Sequence, residues 1–189
     1  MSLRRFSHLL PLVGLLSLAV TARTASAAPG APDPGFGSSG MVRTDLYGDD
    51  GRSLNTPHAL VLQSDGALVA VGDSEPDGVR ALRYDSQGIL DPSFGVDGVA
   101  TADIRVDGTE YAAAAIVQPD GKVVAAGTAY SPGPLQYALV RFQGDGTLDP
   151  SFGAGGIATV SFPNDGGLIF ALARQPDGKL VAAGSPGYT

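Results

Sequence analysis

One block of sequence occurs three times in this chain, at a constant interval of 58 residues. It reads D-P-G-F-G from Asp33, D-P-S-F-G from Asp91 and D-P-S-F-G from Asp149. A second block contains an Asp-Gly pair and an apolar run that ends in glycine, and it begins at Gln63, Gln118 and Gln175. Repetition of this length indicates a supersecondary unit that buries its apolar faces against copies of itself.

Each unit offers short apolar segments that read as β-strands. The first segments are 40–46, 98–104 and 156–162; the second are 58–63, 112–118 and 169–175; the third are 67–72, 122–127 and 179–184; the fourth are 79–85 and 136–143. The Asp-Gly pair between the second and third segments is a strong hairpin signal, because glycine takes the positive φ of a tight turn. The third segments are continuously apolar, which is typical of a strand covered on both faces.

Four strands in 58 residues are the content of one β-propeller blade, so we predict an all-β fold of four-stranded antiparallel blades. The units are approximately 32–89, 90–147 and 148–189, which gives two full blades and one partial blade. A right-handed β-solenoid is the rival architecture, but its coils are much shorter than this period.

A closed ring usually takes about four to eight blades, so these units would leave the ring incomplete. Three explanations stay open: a truncated reading frame, which we favour, oligomerisation that completes a ring, and an open curved array. Open blade edges also favour self-association.

Two sets of repeated side chains carry specific expectations. We expect the phenylalanines of the D-P-x-F-G blocks, Phe36, Phe94 and Phe152, to be buried between adjacent sheets. Arg83 and Arg141 occupy equivalent positions and could form a ring of guanidinium groups for an anionic ligand. We favour ion pairs with Asp91 and Asp149 or with the Asp-Gly turns, because a residue required once per unit is usually architectural.

The N-terminal residues have the features of a secretory signal peptide. Arg4 and Arg5 precede an apolar stretch, and Ala25-Ser26-Ala27 is a small-x-small cleavage motif. We therefore predict a signal peptide over residues 1–27, cleavage near Ala27-Ala28, and an exported repeat region over residues 28–189. The apolar stretch is shorter than the roughly 20 residues that span a bilayer, so we expect no membrane span after cleavage. The absence of cysteine favours a bacterial exported protein.

Charge and composition argue against several functions. The chain has a formal net charge of −7, and removal of residues 1–27 makes it more acidic, so nucleic-acid binding is not expected. His58 is the one histidine beyond residue 27, and Ala112 and Ile169 lie near its register in the other units. We interpret it as a structural residue. No G-x-S-x-G elbow, dinucleotide motif or thiol site is present in the sequence, so we expect neither catalytic nor cofactor nor metal residues.

Calcium is the one inorganic partner that the sequence gives a reason to consider. Asp-Gly-rich stretches at 47–51 and 144–146 offer hard oxygen ligands. Neither has the spacing of an EF-hand loop, and tight turns select the same residues, so we interpret both as turns.

With the blocks L-D-P-S-F-G, Q-P-D-G-K-V-V-A-A-G and A-L-V-R-F-x-x-D-G-T-L in view, residues 32–189 resemble the delta-60 repeat family. That resemblance implies tandem propeller-type repeats of exported bacterial proteins, and it implies no catalytic residue. The first copy departs from the pattern with Gly35 and Ala67, where later copies have serine and lysine.

We therefore expect a non-enzymatic exported scaffold that binds an unknown ligand or protein partner. The connections 45–55, 73–78 and 129–135, which do not repeat, are the candidates for binding. The alternatives are a fragment of a propeller-based hydrolase for carbohydrates or lactones, and a purely structural envelope or adhesion protein.

Overall fold

The computed structural model describes residues 29–44, 55–74, 78–104, 109–130, 135–161 and 167–186, all in strands, turns and irregular segments. The first sheet contains β1 (Asn55–Leu62), β2 (Leu68–Ser74), β3 (Gly78–Tyr84) and β4 (Val99–Ala102). The second contains β5 (Thr109–Val117), β6 (Val123–Tyr130), β7 (Gln136–Phe142) and β8 (Ile157–Ser161), and a hairpin follows with β9 (Gly167–Arg174) and β10 (Leu180–Pro186). All neighbouring strands are antiparallel and consecutive in the chain, which confirms the all-β, blade-like prediction. Within the described residues, no helix is long and apolar enough to cross a membrane.

The sheets begin later along the chain than the sequence units do. The segment that opens each unit becomes the fourth strand of the sheet before it, so that Leu82 of β3 pairs with Val99 of β4. The D-P-S-F-G link makes this reversal, since its backbone returns beside β3 through the Asp91 N to Arg83 O hydrogen bond of 2.8 Å. The proposed signal peptide, residues 1–27, lies outside the described residues.

The first strand of each sheet carries a β-bulge at the same place. The register shifts between Pro57 and Ala59 in β1, between Ala112 and Ala114 in β5, and opposite Ala183 and Gly184 in β9–β10. Because the bulge pushes a carbonyl toward the second strand, a Cβ on the facing glycine would approach it within 2.1 Å at Gly72, 1.9 Å at Gly127 and 2.0 Å at Gly184. The glycine that ends each apolar run is therefore required by the bulge opposite it.

Successive sheets stack face to face. We call the face of a sheet toward the next sheet its following face, and the other its preceding face. The following face of the first sheet carries Val69, Val71, Val79 and Ala81, all at most 2% exposed. The preceding face of the second sheet carries Val123, Ala125, Val140 and Phe142, and the two faces form one apolar core.

The hairpin covers the following face of the second sheet in the same way. Ile169 is buried and donates its backbone N–H to Thr128 Oγ1 at 3.2 Å, while Tyr137 donates its hydroxyl to Ser185 O at 3.0 Å. Strand β6 is therefore covered on both faces, as its apolar run predicted. Strand β1 contacts β5 and β5 contacts β9, so the first strands of the two sheets and of the hairpin lie next to one another.

The repeated phenylalanine lies where two sheets meet. Phe94 is fully buried, and a Cβ at Gly146 in the next sheet would lie 3.1 Å from its ring. Phe36 and Phe152 are half-buried. The expected burial is confirmed for Phe94, which has a described sheet on both sides. It is only partly met for the other two: Phe36 follows no described sheet, and the sheet of Phe152 is followed by a hairpin of two described strands.

Candidate functional site

The two ends of each sheet differ in character. At one end lie the Asp-Gly turns and the D-P-S-F-G links, and we call this end the repeated edge. At the other end, each sheet has the connection between its second and third strands and the connection to the next sheet. We call this end the variable edge; it lies beside Ser74, Gly78, Ala102 and Thr109 in the first sheet and its junction to the second.

At the repeated edge of the first sheet, Arg83 is the centre of a polar network. Its guanidinium donates to Asp91 Oδ2 at 2.7 Å, to Asp65 Oδ2 at 2.6 Å and to Gln63 Oε1 at 2.8 Å. Gln63, which is buried, donates in turn to Gly121 O of the next sheet at 3.0 Å. The network ties the hairpin turn, the link and the neighbouring sheet together.

The second sheet builds the same junction with different atoms. Arg141 Nε donates to Asp149 Oδ2 at 2.9 Å, and its guanidinium lies over the Phe152 ring at 4.5 Å. The turn is reached by Lys122, whose Nζ lies 3.0 Å from Asp149 and 3.4 Å from Asp120. The ion pairs that we favoured for Arg83 and Arg141 are confirmed. Sequence reasoning missed Lys122 and Gln63, although both stand in the repeated Q-x-D-G block that should have indicated them.

The carboxylates of this edge are held in their charged form. The Ser151 hydroxyl, followed by Lys122, the Ser151 amide and Arg141, lowers the pKa of Asp149 far below its ordinary value. The Ser93 hydroxyl is the largest cause of the lowered pKa of Asp91, with the charge of Arg83 contributing. Acids with lowered pKa are poor proton donors, and these two carboxylates accept the hydrogen bonds of Arg83 and Arg141 at this edge.

Asp145 belongs to a turn, as its interpretation in the 144–146 stretch predicted. Its Oδ1 accepts hydrogen bonds from Thr147 N at 2.9 Å and Thr147 Oγ1 at 2.6 Å. Among the described residues, no group of three or more His, Cys, Asp or Glu side chains could hold a metal ion. The 47–51 stretch lies outside the described residues.

His58 occupies the bulge position of β1. Its Nε2 lies 2.6 Å from Asp73 Oδ1, and its side chain is 37% exposed. Its counterparts in the repeat are Ala113 and Phe170, which lie in the bulges of β5 and β9. Ala112 and Ile169, which the sequence placed near the register of His58, each precede these counterparts by one residue.

A cleft of about 430 Å³ opens on the preceding face of the first sheet. Its apolar walls include Leu60, Leu68 and Leu82, and the segment 36–44 closes one side through Phe36 and Val42. Tyr84 donates its hydroxyl to Thr44 Oγ1 at 2.9 Å and fixes that segment. The first sheet covers the corresponding face of the second sheet. The cleft therefore lies where a preceding sheet would pack.

The variable edge carries exposed aromatic side chains. Tyr111 and Tyr130 of the second sheet are 50% and 51% exposed. The candidate binding connections 45–55, 73–78 and 129–135 adjoin this edge, but residues 45–54, 75–77 and 131–134 lie outside the described residues. The connection between the second and third strands is longer in the second sheet than in the first, whereas the turns of the repeated edge keep one pattern.

A family model described as "Domain of unknown function (DUF5122) beta-propeller" matches residues 63–94 and 118–152. Each matched segment begins at the glutamine before an Asp-Gly turn and ends in a D-P-S-F-G link, so it contains the second and third strands of one sheet. No curated protein matches the chain.

The stacked antiparallel sheets, the recurring junctions and this match define the class: the chain contains β-propeller-type repeats. Within the class, its sequence is similar to the matched family over these two segments, one in each four-stranded sheet.

Proposed function

We propose that this chain is an exported, non-enzymatic β-propeller scaffold of the delta-60 repeat kind, which binds a partner at its variable edge. The observation that carries the proposal is the difference between the repeated edge and the variable edge. The repeated edge uses its charged side chains in ion pairs within the chain, while the connections at the variable edge differ between units. Repeat scaffolds place binding residues in such connections.

The aromatic side chains at this edge support the binding of a carbohydrate or protein surface. A tyrosine presents a large apolar face together with a polar hydroxyl, and such residues dominate binding energies at interfaces. Tyr111 and Tyr130 are half-exposed on neighbouring strands, with Tyr130 paired to Thr109 and Tyr111 to Thr128. Tyr111 and Tyr130 lie on one face of the sheet, because the two pairs are two residues apart along the strands.

A glycan array tests the binding proposal directly. The purified chain would be compared with Tyr111→Ala, with Tyr130→Ala, and with a variant whose residues 129–135 are replaced by the shorter connection 73–78. We expect selective glycan binding that falls at least about tenfold in each variant. Pro119→Ser, which gives the second Asp-Gly turn the sequence of the first, is the matched control at the repeated edge. Binding that is unchanged in all three variants, or that is lost equally in the control, would overturn the proposal.

Export and the lack of enzymatic activity have their own measurements. N-terminal sequencing of the protein recovered outside the cytoplasm should begin at Ala28, and a retained Met1 would contradict cleavage. Incubation with the glycans that bind should release no product; hydrolysis would favour the propeller-based hydrolase instead.

A further inference from the structure

The preceding face of the first sheet is mostly apolar and open to solvent, with Arg80 on it near the variable edge. Leu60 and Leu62 of β1 are 65% and 67% exposed, and Leu68, Leu82 and Tyr84 continue the face across β2 and β3. Exposed leucines that cluster on one face of a sheet indicate an interaction surface.

The second sheet shows what this face packs against when it is covered. Counting from the repeated glutamines and arginines, the residues of the second sheet that correspond to Leu60, Leu62, Leu68, Leu82 and Tyr84 are Ala115, Val117, Val123, Val140 and Phe142. Val123, Val140 and Phe142 belong to the core formed with the following face of the first sheet, and Ala115 and Val117 pack against that core. The fold therefore contains one covered and one uncovered copy of the same face.

The hairpin exposes the complementary half of that contact. In the first sheet, the following face of the first two strands carries Ala59, Val61, Val69 and Val71. The corresponding hairpin residues are Ala171, Ala173, Val181 and Ala183. All four are exposed, Val181 by 46%, and Phe170 in the adjoining bulge is 62% exposed.

We propose that the preceding face of the first sheet binds the following face of the β9–β10 hairpin of a second copy of this chain, head to tail. The new contact would continue the sheet-to-sheet contact already present twice within the chain. The hairpin of the same copy cannot supply it, because that hairpin packs on the far side of the second sheet. A heterologous contact of this kind builds rings where the rotation closes and open chains where it does not.

The cleft gives the second copy a defined place. Segment 36–44 covers only one side of the preceding face, and the space of about 430 Å³ beside it is bounded by Leu60 and Leu68 of the first two strands. Strands β9 and β10 correspond to β1 and β2 in the repeat, so they would lie over β1 and β2 of the other copy, as β1 lies beside β5 within the chain.

Sedimentation velocity of the full chain over a concentration series tests the proposal. We expect reversible, concentration-dependent association. Leu62→Asp should block the preceding face and Val181→Asp the following face, so each variant alone should raise the apparent dissociation constant at least about tenfold. Val96→Asp is the matched control, because Val96 is 76% exposed in a link of the repeated edge, away from both faces.

Mixing the two variants distinguishes a head-to-tail contact from other association. Leu62→Asp retains an intact hairpin and Val181→Asp an intact preceding face, so the mixture should form a one-to-one dimer and nothing larger. Leu60→Asp and Phe170→Asp form a second pair, and circular dichroism verifies that each variant is folded. A chain that stays monomeric at every concentration, a control that dissociates equally, or a mixture that associates no better than its components would each overturn the proposal.

Discussion

Lys122 Nζ lies 3.0 Å from the Asp149 carboxylate, and through it the second sheet joins its hairpin turn to its link. In the first sheet Ala67 stands at the lysine position, and the guanidinium of Arg83 reaches both the turn and the link. The two sheets thus form the same junction with one cation in the first and two in the second. The departure of the first copy from the repeat pattern is compensated by the conformation of its arginine.

This difference predicts unequal effects of removing the two arginines. Arg83→Ala leaves Asp65, Asp91 and Gln63 without their shared donor, so the free energy of unfolding should fall by about 2 kcal/mol or more. Arg141→Ala should cost less, because Lys122 remains on Asp149, whereas Ala67 leaves the first sheet without a second cation. Urea unfolding of both variants measures the difference. Equal losses of unfolding free energy would show that Lys122 does not compensate for the loss of Arg141.

The strands and the arginine pairs could be predicted from the sequence because they depend on local signals. An Asp-Gly pair between apolar runs specifies a hairpin wherever it occurs, and Arg83 and Asp91 recur with fixed spacing. The bulges could not be predicted in this way. β5 contains Ala112 to Ala115 in succession, and a run of alanines shows no alternation from which a shift of one residue could be read. The sequence also left open whether each arginine pairs with the link or with the turn; Arg83 pairs with both, and this depends on its side-chain conformation.

The bulges predict strict intolerance to a methyl group at the glycine opposite. A Cβ at Gly127 would lie 1.9 Å from Tyr111 O, so Gly127→Ala must shift the backbone of β5 or β6. We expect a loss of about 1–3 kcal/mol or more, as for other overpacked interiors. Gly144→Ala is the matched control, because no heavy atom lies within 4 Å of its Cβ position, and it should change stability by less than about 0.5 kcal/mol. Thermal unfolding followed by circular dichroism compares the two. A Gly127→Ala variant as stable as the control would contradict the close approach.

The carboxylates of the repeated edge predict a loss of stability in acid. A carboxyl group whose pKa is lower in the folded than in the unfolded chain stabilises the fold fully above its unfolded pKa, and this contribution is lost as the pH falls toward the folded value. The pKa values of Asp149, Asp91 and Asp65 are all lowered, so stability should decline below about pH 4.

Ser151→Ala tests the largest single cause. Without its hydroxyl the pKa of Asp149 should rise toward the ordinary value, so the variant should lose stability near neutral pH and depend less steeply on pH in acid. Ser161→Ala is the control, because the Ser161 hydroxyl accepts a hydrogen bond from Gln136 Nε2. Urea unfolding at a series of pH values measures both slopes. Parallel curves for Ser151→Ala and the parent chain would exclude this hydroxyl as the cause.

The repeated phenylalanines predict a gradient of energetic importance along the chain. Phe94 is fully buried between the two four-stranded sheets, and its truncation to alanine should cost about 3–5 kcal/mol. Phe152 is half-buried and contacts Arg141, so Phe152→Ala should cost clearly less. Because a loss of this size approaches the whole stability of many domains, Phe94→Leu should be measured beside Phe94→Ala. If Phe152→Ala proves as costly as Phe94→Ala at low protein concentration, the contact between neighbouring sheets is not what gives this position its energy. A cost at Phe152 that grows with protein concentration would instead show that association buries its ring.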